Sequence, residues 1–208
     1  MEGEIKLKIL NIKARILSVA IIFSLLLNIY TPVFAASNNS NDIHLNINEM
    51  SKEEMDIYQK VLEDSIRENK EKDPNFDEKL FTQQVNYVLY LMESPSGITI
   101  GSRSIIKISI PNNVVATAVN IAISLIAGGA TTAALRSYIL KVGVTEATNV
   151  IVSKVTSKLI ALGIREVSGI GTVIRTVINQ VIDPGSAVAE YLDNHDIFPR
   201  NGYVDVRA

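Results

Sequence analysis

Between Lys107 and Arg136 the chain carries no charge: Ile108 to Leu135 is an uncharged run of 28 residues. A stretch of that kind has to leave water, either inside a core or within a bilayer. Val114 to Leu135 supplies 22 of these residues, nominally enough to span a membrane as one helix. Alanine, glycine, threonine and serine are frequent in it, and such small side chains let helix backbones approach closely. Gly128-Gly129 sits near its middle and is the expected hinge. A helix is expected over Val114–Ala127 and a second over 131–142. Asn112-Asn113 is the expected cap of the first.

The rest of the chain is divided by charge. Residues 36–94 hold six basic against thirteen acidic residues, a net of −7. Residues 95–182 hold eight against two, a net of +6, and residues 183–208 two against five, a net of −3. The acidic block reads as a helical hairpin over 51–94. Ser51-Lys52-Glu53-Glu54 is a capping box, and Met55, Tyr58, Val61, Leu62 and Ile66 form one apolar stripe. Asp73-Pro74 is the expected start of the second arm, with Asp as N-cap and Pro at N1. Ser94-Pro95-Ser96-Gly97 is its expected stop.

Beyond the uncharged run, helices are expected over 145–162 and from 164 or 168 to 182. Asp183-Pro184-Gly185 is the expected stop of the latter, with a short helix over 186–194 after it. Alternation at Ile106-Lys107-Ile108-Ser109-Ile110 indicates a short strand near 104–110, and 203–206 is its expected partner. The fold class is therefore mainly α: an acidic helical hairpin over 51–94, then a domain over 95–208 made of an apolar four-helix region with a small two-stranded β element.

The N-terminus states a destination. Lys6, Lys8, Lys13 and Arg15 precede an apolar run from Ile16 to Tyr30, followed by Thr31-Pro32-Val33-Phe34-Ala35. This is the layout of a signal peptide over 1–35 cleaved near Ala35, with 36–50 as a flexible polar leader and secretion as the expected outcome. No cysteine is present, which excludes disulfides, thiol catalysis and zinc–thiolate sites.

Catalytic patterns are absent. Gly169-Ile170-Gly171 lacks the third glycine of a dinucleotide loop, and no GxxxxGK[ST] or HExxH occurs. Asp193-Asn194-His195-Asp196 offers oxygen and nitrogen atoms but has no second histidine near it, so it reads as a capped helix end rather than a metal site. No enzyme activity and no cofactor are expected. A net charge of −2 and the lack of aromatics among the basic residues argue against nucleic acid.

From Val114–Gly129 on to Ile182, with the signal peptide ahead, the chain resembles bacteriocin or killing-factor precursors of Gram-positive bacteria. The resemblance is one of layout: signal peptide, polar helical pro-segment, apolar helical toxin region. It implies a secreted, membrane-active antimicrobial whose partner is an anionic bacterial membrane, with an immunity protein and self-association as further candidates. Lys141, Lys154, Lys158, Arg165 and Arg175 are the expected first membrane contacts, because apolar helices with basic faces bind anionic surfaces. Val114–Ala127 is the segment expected to insert, hinged at Gly128 and Gly129, with the acidic hairpin as its cover. The alternative is a non-lytic secreted helical domain that binds a protein partner or the cell wall, in which the apolar helices are only a core.

Overall fold

The computed structural model describes residues 50–93, 107–130, 132–164, 168–180 and 183–207. The expected signal peptide, nearly all of the expected leader, the expected stop at 94–97, residues 104–106 and Arg165 lie outside them. The described chain is mainly helical, with seven helices and one two-stranded antiparallel sheet.

Helix α1 spans Lys52–Lys72 and opens on the capping box: the Ser51 hydroxyl accepts from the Glu54 N–H, and the Glu54 carboxylate accepts from the Ser51 N–H. Helix α2 spans Glu78–Glu93. It starts later than the Asp73-Pro74 reading implies. Asp73 closes α1, its N–H bonded to the Asn69 carbonyl, and Asp77 takes over as cap by accepting from the Leu80 N–H. Tyr58 joins the arms, its hydroxyl donating to Asn86 at 2.6 Å. Phe81, Val85, Val88, Leu89 and Met92 give α2 a continuous buried face.

Strand β1 (Lys107–Pro111) leads directly into α3 (Asn112–Ala127), the centre of the domain. Val114, Val115, Ala118, Val119 and Ile121 are at most 1% exposed. A helix apolar on nearly every side must be surrounded. Here α1, α2, both strands and three of the four helices introduced below contact it. Asn112 does not cap α3 with its side chain. It instead donates to Asp193 at 2.7 Å, which ties the start of α3 to the far end of the chain.

Helices α4 (Thr132–Val142), α5 (Val144–Ala161) and α6 (Ile170–Gln180) follow. Ile151, Val155, Leu159, Ile170 and Ile174 enter the same core as α2 and α3. Helix α7 spans Pro184–His195. Asp183-Pro184-Gly185, expected to stop the preceding helix, follows α6, which ends at Gln180, and it also starts α7: the Asp183 carboxylate accepts from the Gly185 and Ser186 N–H groups, with Pro184 in the first turn. Helix α7 lies close along α3, and a Cβ on Gly185 would stand 2.1 Å from the Ala116 carbonyl oxygen.

Strand β2 (Tyr203–Arg207) pairs antiparallel with β1, Ile108 opposite Val206 and Ile110 opposite Val204. Asp193, 6% exposed, holds the turn before β2 by accepting from the Asn201 and Gly202 N–H groups as well as from Asn112. Asp196 accepts from the Phe198 and Asp205 N–H groups. Burial, reinforced by the charges of Asp205 and Asp193, pushes the Asp196 carboxyl above the ordinary carboxylate value despite these bonds.

Candidate functional site

The junction of α3 and α4 is built by its glycines. Gly128 adopts φ +71°, and the Gly129 N–H returns to the Ser124 carbonyl while the Gly128 N–H returns to Leu125. These are the two hydrogen bonds of a Schellman stop, with glycine where a Cβ would be strained. A Cβ on Gly129 would meet the Ala134 Cβ at 2.5 Å, so the first turn of α4 folds tightly over this residue. The two helix axes are bent by 46°.

No single described helix is long and apolar enough to cross a membrane, but α3 and α4 together meet the length and composition for it. Helix α3 alone, with 16 residues, is about 24 Å long against about 30 Å of hydrocarbon. The halves differ in setting. Helix α3 is enclosed. Helix α4 buries none of its 11 residues fully; Leu135, Tyr138 and Ile139 rest on the core while Leu140 is 86% exposed.

The five expected contact residues are dispersed. Lys141 is exposed in the last turn of α4, and Arg175 is exposed on α6. Lys154 is half-buried on α5. Lys158, one turn further on, is directed inward: its ammonium pairs with the Glu93 carboxylate at the end of α2, and the side chains keep 14% and 11% of their exposure. Arg165 lies outside the described residues. Lys158 therefore links the acidic hairpin to the basic helices, 65 positions apart in sequence. No pattern within either segment pointed to it.

A polar stripe of α3 is legible in the sequence. Asn113, Thr117, Asn120 and Ser124 recur at helical spacing within the uncharged run and line a cleft of about 320 Å3. Asp64, Glu68 and Asn69 of α1 and Asp183 form other parts of its wall. Asn113 donates to Asn69 at 2.8 Å and Asn120 to Asp183 at 2.6 Å. The Asp64 carboxyl is held below its ordinary value, first by its hydrogen bond to Lys60 and then by Arg67. Among the described residues no group of three or more His, Cys, Asp or Glu is placed to hold a metal ion. No protein family, curated protein or solved structure matches the chain.

Proposed function

We propose that the protein is a secreted, membrane-active antimicrobial of the bacteriocin type, exported by a signal peptide cleaved near Ala35, whose helices between Val114 and Ile182 perturb bacterial membranes. The observation that carries this reading is the α3–α4 pair: a span-length segment, uncharged as far as Leu135 and broken at Gly128-Gly129, that exposes Lys141 at its own far end and is held in a domain whose α6 exposes Arg175. The acidic hairpin is its cover, since α1 and α2 both pack on α3 and Glu93 binds Lys158.

Insertion requires the domain to open. Exposing Val114, Val115, Val119, Ile121 and Ile123 to water costs on the order of 8–15 kcal/mol, at about 1.5–3 kcal/mol for each large apolar side chain. Hydrocarbon returns that same transfer energy, because lipid tails are as apolar as the core they replace. Opening is therefore prohibitive in water and near balance at a bilayer. Cations at the surface add about 1 kcal/mol each on anionic lipid.

The second reading, a non-lytic domain that binds a protein partner or the cell wall, is favoured by the near-complete enclosure of α3. Dye release from vesicles separates the two. The membrane reading expects the purified protein to empty phosphatidylglycerol vesicles and to spare phosphatidylcholine vesicles. A folded monomer that empties neither, and binds neither, sinks it and leaves the partner-binding domain.

A further inference from the structure

Helix α4 combines three features that act together. Among the described helices it is the one with no fully buried residue. Its outward stripe, Arg136, Leu140, Lys141 and, just past its end, Val144, joins two cations to apolar side chains that are 86% (Leu140) and 51% (Val144) exposed. From Thr132 to Gly143 there is no acidic residue. It is also bounded by glycines in the left-handed region, Gly128 at φ +71° and Gly143 at φ +89°. Helix α4 is thus joined to α3 and α5 by turns rather than by continuous helix.

Building on the membrane reading above, we propose that α4 is the docking element: its Arg136–Leu140–Lys141–Val144 stripe seats on the anionic surface of a bilayer before α3 leaves the core. The occupant is lipid rather than protein on grounds of size. Eleven residues make a helix about 16 Å long. An outer strip about 10 Å wide then offers about 160 Å2, against about 800 Å2 per partner in a stable protein interface. An interfacial helix needs far less, since a few apolar side chains at headgroup depth and adjacent cations act together. This assigns first contact to Arg136, Leu140 and Lys141, and not to Lys158, whose ammonium is engaged by Glu93. Docking places the Gly128-Gly129 bend at the bilayer surface, where straightening the α3–α4 pair would extend one span into lipid.

The chain has no cysteine, so a single one can be introduced and labelled without background. Leu140→Cys carrying a polarity-sensitive fluorophore is compared with Leu80→Cys, a 50% exposed site on the acidic hairpin. With vesicles containing phosphatidylglycerol, the label at 140 shifts to the blue and the label at 80 does not; phosphatidylcholine vesicles shift neither. Arg136→Glu/Lys141→Glu, both at exposed positions, weakens vesicle binding at least about tenfold while circular dichroism and unfolding midpoint stay unchanged. Equal shifts at 140 and 80, or unchanged binding by the double variant, overturn the docking role while vesicle binding by the wild type keeps the membrane reading. Failure of the wild type to bind removes both. A blue shift at 140 that grows with protein concentration without vesicles assigns the stripe to a second copy of the chain and refutes the lipid assignment.

Discussion

Gly185 carries the closest approach between α7 and α3, and Gly185→Ala tests that packing directly. The added Cβ would stand 2.1 Å from the Ala116 carbonyl oxygen and 2.6 Å from Asn120 Cγ. An ordinary carbon–oxygen contact is a little over 3 Å, so α7 has to retreat by about 1 Å, and the obstacle on α3 is backbone that cannot rotate away. Overpacking of this kind costs about 1–3 kcal/mol, at the upper end when no rotamer relieves it. The shift also strains the bond from the Gly185 N–H to the Asn120 side-chain Oδ1, worth about 1 kcal/mol. Better helix propensity of alanine offsets up to about 1 kcal/mol, less in the first turn. The expected net loss is about 3 kcal/mol. With a urea dependence of about 2 kcal/mol per molar, the unfolding midpoint falls by about 1.5 M. Gly171→Ala is the internal control. Its Cβ would lie 3.3 Å from Val152 Cγ1, a side chain that can give way, so its stability stays within about 1 kcal/mol of wild type. A Gly185→Ala midpoint within about 0.5 kcal/mol of wild type would refute the α3–α7 packing described above.

Two further predictions concern charge. Lys158→Met leaves the Glu93 carboxylate largely covered and without its cation, at a cost of about 2 kcal/mol; adding Glu93→Gln restores most of it, and a double-mutant cycle showing no coupling refutes the pair. Asp196, raised above 3.8, binds its proton more tightly folded than unfolded. Its contribution is therefore fully present below about 3.8 and is lost as pH rises through the raised value, so wild type should lose stability relative to Asp196→Asn over that window. Urea titrations at successive pH values that show the opposite trend would sink the assignment.

The local features read from the sequence are those fixed by neighbours a few positions apart. The Ser51–Glu54 box needs only residues three apart, and it starts α1 as read. Periodicity placed the buried faces of α1 and α2, since an apolar stripe implies burial whatever covers it. Asp73-Pro74 and Asp183-Pro184-Gly185 show the limit: the same signal closes one helix and opens another. Asp73 does accept from the Asn75 N–H as a cap would, but only a turn follows, and Asp77, accepting from the Leu80 N–H, is the residue at which α2 begins.

The sequence alone determined that Ile108 to Leu135 must leave water, that the chain would be mainly helical, and where glycine would break α3 from α4. Only the tertiary structure decided how the run is hidden: α3 enclosed by α1, α2 and α7, while α4, whose first turn ends the run, buries none of its residues fully and leaves Leu140 exposed. It also decided that Lys158 turns inward to Glu93 while Lys141 faces water. The physical reason is that burial and charge pairing depend on distance in space. Residues 65 positions apart meet only when helix packing brings them together, and no local pattern encodes that meeting.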